Sequence, residues 1–224
     1  MMGAASAQER PAADPGDIVV TAVTKPYQID VHALIVARNA FEQGRPSFAP
    51  AATLFFEVRE QGHAAARSDL RLTLVDGQRA VPVLLDQGRF TLPALPEGKW
   101  RLTANRARRA ITVQALVMTP GTTEGDRRLG DLRLQCRALI AMAKTEASIA
   151  LLPVIGLFEA MGPCTSRRIG IYYSTSSPIA GAELREGGRT EPVSVGPNGR
   201  GYRAPIQDRS FTNEARLTLT PKPI

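Results

Sequence analysis

Apolar and polar residues alternate along most of the chain in short runs divided by Gly, Pro, Asn and Asp. Thr53 to Arg59, Leu70 to Leu74, Val81 to Leu85, Arg89 to Leu92, Lys99 to Ala104 and Ile111 to Val117 each read as a strand with one face inward. Turns are predicted at Val75-Asp76-Gly77-Gln78 and Asp86-Gln87-Gly88. The cleanest alternation sets Leu132, Leu134, Cys136, Ala138 and Ile140 against Arg133, Gln135 and Arg137, which predicts a strand with Cys136 facing the core. Strands resume at Arg168 to Tyr173, Ala182 to Arg185, Glu191 to Val195, Gly201 to Ala204 and Glu214 to Thr220, with a hairpin turn at Gly196-Pro197-Asn198-Gly199.

Two stretches change period. From Asp30 to Gly44, Val31, Leu34, Ile35, Arg38 and Phe41 recur at helical spacing; Asp30 is placed to cap the start, and Gly44 with Pro46 to end it. Glu146 to Met161 predicts a short, mostly buried helix interrupted at Pro153 and Gly156. The fold class is therefore mostly β. Two Ig-like sandwich modules are expected, over 30–145 and 146–224, with an N-terminal helix and one short helix between the modules. Residues 8–29 are polar and Pro-rich and read as a flexible tail. A faint repeat relates Gly77…Pro82…Gly88-Arg89-Phe90 to Gly188…Pro192…Gly199-Arg200-Gly201-Tyr202, which favours two similar modules.

With 43% hydrophobic and 22% charged residues, the chain can bury a core, which excludes wholesale disorder. The net charge of +7 favours anionic partners such as acidic glycans or lipids, although scattered arginines also follow from a GC-rich genome. Arg106, Arg108 and Arg109 form the one local basic cluster and are the candidate anionic-ligand residues. Together with Arg101, Arg127 and Arg128 they would suit a phosphate stripe. Neither a recognition helix nor an aromatic platform accompanies them, so no nucleic acid is expected as partner.

Ala5-Ser6-Ala7 before Gln8 fits a small-x-small cleavage site, so residues 1–7 read as the remnant of a secretory signal. No run of apolar residues is long enough for a transmembrane segment. Cys136 and Cys164 are the only cysteines. In an oxidising compartment they read as one disulfide; in the cytosol they would be two buried thiols. His32 and His63, the only histidines, sit at no metal-like spacing, and no hydrolase elbow, zinc, P-loop or dinucleotide motif is present. No enzyme, cofactor or metal is expected.

Three resemblances extend these expectations. The run Asp86-Gln87-Gly88-Arg89-Phe90-Thr91-Leu92-Pro93-Ala94-Leu95-Pro96-Glu97-Gly98-Lys99-Trp100-Arg101-Leu102 resembles the hairpin of transthyretin-like and carboxypeptidase-regulatory modules, which implies a sandwich and no activity. Asp17, Ile18, Val19, Val20, Thr21 and Ala22 resemble a TonB box, a strand that adds to the sheet edge of a periplasmic energy-coupling protein; the alternative is an ordinary short strand. That resemblance implies a protein partner of the TonB type, while the chain is too short for the receptors that carry such boxes. The span from Phe41 through Phe48–Val58, Leu129–Cys136 and Gly162–Tyr173 resembles a family of exported proteobacterial proteins, which implies export and the Cys pair. Together these predict a periplasmic or otherwise exported envelope protein that acts by partner binding. An anionic-ligand binding module is the alternative, and an enzyme without a recognisable motif the remote one.

Overall fold

The computed structural model describes residues 25–60, 63–64, 69–146, 156, 160–167 and 170–223. Among the described residues the chain is mostly β, in four antiparallel sheets with two long helices. Its first half runs β1 (Pro26–Asp30), α1 (Val31–Phe48), β2 (Thr53–Glu60), β3 (His63–Ala64), β4 (Leu72–Asp76), β5 (Arg79–Val83), β6 (Arg89–Phe90), β7 (Arg101–Ala107) and β8 (Ile111–Met118). The second runs β9 (Asp126–Arg128), α2 (Leu129–Glu146), β10 (Tyr173–Ser174), β11 (Ile179–Glu186), β12 (Arg189–Pro192), β13 (Ser194–Val195), β14 (Gly201–Arg203) and β15 (Arg216–Pro221).

The chain walks one path twice. An edge strand, β1 or β9, leads directly into an 18-residue helix. A tight hairpin follows, β4–β5 or β11–β12, turning on glycines at positive φ (Gly77 at 58°; Gly187 and Gly188 at 53° and 83°). A later strand then inserts between hairpin and edge strand, giving the orders β1-β7-β4-β5 and β9-β15-β11-β12. A second small sheet accompanies each half: β3-β2-β6 with β8 on β2, and β10-β14-β13. The faint sequence repeat falls on equivalent places in this path, the glycine hairpins and the buried rings of Phe90 and Tyr202.

The strand expected from Leu132 to Ile140 is instead the middle of α2. The reason lies in what the helix packs against. Leu134, Ala138 and Met142 belong to the first core, with Phe41, Phe56, Leu74 and Leu102. Leu129, Leu132, Cys136 and the partly buried Ile140 belong to the second, with Leu184, Tyr202, Phe211 and Leu217. Each stripe has helical spacing, but two positions on a helix differ by a rotation of about 200°, so the stripes face opposite ways. Interleaved in sequence, they imitate the period of a strand. The boundary expected at residues 145 and 146 falls at the C-terminal end of α2.

Other expectations shift with this. Pro26 to Ile29 are not tail but belong to β1, which pairs with β7. Asp30 caps α1 as expected, its Oδ1 accepting from the His32 amide at 2.8 Å. Gly44 does not end α1, which runs on to Phe48. A Cβ on Gly44 would meet Leu134 Cδ1 at 2.7 Å, so its bareness serves the packing of α1 on α2. Gly130 is tighter still: a Cβ there would strike the Phe48 carbonyl and Asn213, and its amide donates to the Asn213 carbonyl at 3.0 Å. The short helix expected from Glu146 to Met161 lies, apart from its ends, outside the described residues, as does the TonB-box-like segment Asp17 to Ala22. Among the described residues no helix is long and apolar enough to cross a membrane.

Cys136 and Cys164 form a disulfide, with sulfurs 1.98 Å apart and the residues 28 positions apart in sequence. Cys136 is fully buried on the second stripe of α2, so the bond fixes the Pro163–Thr165 turn to that helix. Closing a loop of this length stabilises by roughly 3–4 kcal/mol in the chain-entropy account. Reduction, or the paired change Cys136→Ala and Cys164→Ala, should lower the unfolding free energy in urea by about that much. Gly130→Ala should cost about 1–3 kcal/mol by overpacking where backbone blocks the new methyl. An unchanged urea midpoint in Gly130→Ala would contradict the close approach of α2 to the end of α1.

Candidate functional site

Where the two apolar stripes of α2 face apart, its flank between them carries Arg133 and Arg137, four residues apart on one side. Arg133 is half-buried and reaches across to the loop between β14 and β15. Its Nε donates to the Ile206 carbonyl at 2.8 Å, and its Nη2 to the Asp208 and Phe211 carbonyls at 2.5 and 3.0 Å. Its Nη1 donates to Asn213 Oδ1 at 2.7 Å, while Asn213 Nδ2 donates to the Ser47 carbonyl at the end of α1. One guanidinium therefore organises the loop, and one amide ties that loop to both helices. All four acceptors of Arg133 are neutral, so its charge is solvated by dipoles and not cancelled. Burial lowers its pKa from the usual value, with Asp208 and Glu186 opposing at longer range.

Beside Arg133 lies a cavity of about 310 Å³. Phe48, Ile206 and Phe211 supply its apolar surface; Arg133, Arg137 and Arg209 supply charge; Thr165, Gln207, Asn213 and the disulfide at Cys164 complete it. Among the described residues, no carboxylate lines it. The Arg137 guanidinium stacks over the Phe48 ring at 4.7 Å, and Arg209 is exposed on the loop. Among the described residues, none of the three arginines is in an ion pair. Three cations thus stand around a partly apolar hollow where the two cores meet.

Most other charges at the junction are consumed by structure. Glu57, only 3% exposed, accepts from Arg59 at 2.6 Å, Gln114 at 3.1 Å and Arg89 at 3.4 Å, and Arg59 donates onward to the Thr175 carbonyl of the second half. Arg127 donates to the Val117 carbonyl at 2.6 Å and to Gln135 at 2.8 Å; Arg128 bonds Thr119 and pairs with Glu214. Both arginines are buried, so neither belongs to a surface phosphate stripe. Asp131 is fully buried: its carboxylate accepts from the Thr119 amide at 2.9 Å and hydroxyl at 2.7 Å. The Tyr173 hydroxyl donates to the Leu132 carbonyl at 2.7 Å, and burial raises its pKa well above the ordinary value.

The three arginines proposed from sequence are not one cluster. Arg106 pairs with Glu60 at 2.6 Å and Asp69 at 2.9 Å, and the bond it donates to Glu60 is the main cause that raises its pKa. Arg108 and Arg109 are exposed in the β7–β8 turn and share an open groove with Lys25. Their groove lacks the apolar wall and the fixed donor set that Arg133 gives the junction cavity. His32 is exposed in the first turn of α1, and His63 stands opposite Glu60 in strand register. Among the described residues, no group of three or more His, Cys, Asp or Glu side chains is placed to hold a metal ion. Sequence reasoning missed Arg133, Arg137 and Arg209. The four-residue spacing of the first two was the available signal, hidden by the strand reading of that stretch.

No family model, curated protein or solved structure matches the chain.

The loop that carries Arg209 is held by carboxylates as well as by Arg133. Glu186 accepts from the Thr212 amide at 3.0 Å, and Asp208 from the Ser210 amide at 2.8 Å. Bonds from Thr212 and Ser210 lower these carboxyls below their usual values of 4.5 and 3.8. Depressed carboxyls stabilise above their unfolded values, and that support is lost as pH falls through the lower folded ones. Amide protection over 206–213 should therefore fall on acidification below about pH 4, before that of α1. Arg133→Met should loosen the same loop at neutral pH and cost about 2–4 kcal/mol through carbonyls left without donors. Unchanged exchange of the loop amides in that variant would contradict the organising role of Arg133.

Proposed function

We propose that this chain is an exported binding protein of the bacterial envelope, without catalytic activity, that holds an anionic ligand at the junction of two transthyretin-like sandwich modules. The observation that carries this is the junction cavity: three guanidiniums, two of them exposed, around a wall with no carboxylate among the described residues. Elsewhere in the protein, carboxylates such as Glu57, Asp126 and Asp131 are already occupied by arginines or by Thr119, which suits a scaffold better than acid–base chemistry. The repeated strand path supports two copies of one module, and the disulfide suits an oxidising compartment.

A second reading is protein capture by strand addition. β5 is an edge strand whose residues Arg79 to Pro82 are exposed, and Leu84 just beyond it is 88% exposed. Asp17 to Ala22 precede β1, the opposite edge of that sheet, and a coupling protein of the TonB type is the partner this reading proposes.

The anion reading is tested with inorganic phosphate, titrated into the protein while amide NMR shifts are followed. Shifts should concentrate on 206–213 and on α2 near Arg137. Binding should weaken about tenfold in the double variant Arg137→Gln, Arg209→Gln, and weaken steeply as salt rises to about 0.15 M. Shifts centred on Arg108 and Arg109 would move the site to the β7–β8 turn; none anywhere, with phosphate or with an organic anion such as benzoate, would remove the anion reading.

A further inference from the structure

We infer that the ligand of the junction cavity is a small organic carboxylate with an apolar body, and not a polyhydroxylated or polymeric anion. The inference rests on the anion reading above and follows from counting donors and acceptors.

A guanidinium donates and never accepts. Arg137 and Arg209, with the one N–H that the four bonds of Arg133 leave over, therefore give the cavity an excess of donors. The neutral polar groups do little to balance them. Asn213 is used at both ends, its Oδ1 by Arg133 and its Nδ2 by the Ser47 carbonyl. The Thr165 hydroxyl donates to the Gly162 carbonyl at 3.3 Å, which leaves its oxygen able to accept. Among the described residues, Gln207 and Thr165 are the side chains of the wall whose acceptors are not already used, few against the guanidinium donors. A sugar presents a hydroxyl donor at almost every carbon, and each donor buried here without an acceptor would lose its bond to water. A carboxylate presents acceptors only, and its two oxygens match the planar fork of a guanidinium.

The remaining wall is carbon. Phe48 offers the half-buried ring on which Arg137 stacks, and Ile206 and Phe211, both under 5% exposed, line the cavity with little open surface of their own. The part of the Phe48 ring still in water gains nothing from a compact inorganic ion but is covered by an apolar body of matching size. The volume of about 310 Å³ sets the scale at the small end of ligand pockets. A single ring or short chain with one acid group fills it; a polymer could bring only its end. The headgroup lies between Arg137 and Arg209, with the body over Phe48 and against Ile206.

The test compares benzoate, its neutral isostere benzamide, and inorganic phosphate by NMR titration of the oxidised full-length protein at low salt. For a ligand this small, benzoate is expected to bind with a Kd of roughly a millimolar. Phosphate and benzamide should each bind at least about tenfold more weakly. Arg209→Gln should weaken benzoate about fivefold, and Arg108→Gln should leave it within about twofold, since that side chain lies on another surface. Unchanged amide spectra away from 206–213 in each variant would show that the fold is intact. Phosphate binding at the cavity as tightly as benzoate would overturn this inference and leave the anion reading standing. Benzamide binding as tightly as benzoate, or no binding by any of the three, would overturn both.

Discussion

The fold depends on a single helix being buried on two opposite sides. α2 gives Leu134, Ala138 and Met142 to one core and Leu129, Leu132 and Cys136 to the other. Neither core can close without it, because each stripe fills the interior of a different half. A fully buried Leu contributes about 1.5–3 kcal/mol of transfer free energy, so each stripe is a substantial share of a stability of only about 5–15 kcal/mol. The same geometry brings the halves so close that Gly44 and Gly130 have no room for a side chain beyond hydrogen.

A helix with two buried faces has two flanks, and the chemistry of the molecule divides between them. One carries Asp131 and Gln135, which accept from Thr119 and Arg127 and seal the link from β8 into α2. Buried charge of this kind is expensive to desolvate and its net contribution is small, but removing one partner strands the other. It therefore fixes how the halves meet more than it adds to their stability. The other flank carries Arg133 and Arg137, whose guanidiniums meet carbonyls, a ring and open space, with no carboxylate among the described residues bonded to either. That difference makes one flank a weld and the other the flank on which the proposed site rests.

Much of the β structure was legible in the residues. The period of two, together with Gly77, Gly88 and Gly199 at turns, located β2, β4, β7, β8, β11 and β15 and the hairpins between strands. The disulfide was legible from cysteine number. α2 was not, because two opposed stripes offset by two positions produce the alternation of a strand, and only the tertiary partners tell them apart. The candidate site shared that fate, since Arg133 and Arg137 look like the wet face of a strand until the helix is recognised. Arg209 comes from a loop more than seventy residues further on, and no local pattern connects it to them. Arg106 was attractive for its neighbours Arg108 and Arg109, but its partners Glu60 and Asp69 come from the other sheet and its approach, again a non-local fact.

The central claim is that α2 makes two cores into one cooperative unit. Trp100, the only tryptophan, is 5% exposed in the first core, and Leu184 and Leu217 are fully buried in the second. Equilibrium urea unfolding of the oxidised protein, followed by Trp100 fluorescence and by the methyl NMR signals of those two leucines, reports on each core separately. The account predicts a single transition with coincident midpoints. Two separated transitions, with one core melting while the other keeps its native signals, would contradict it.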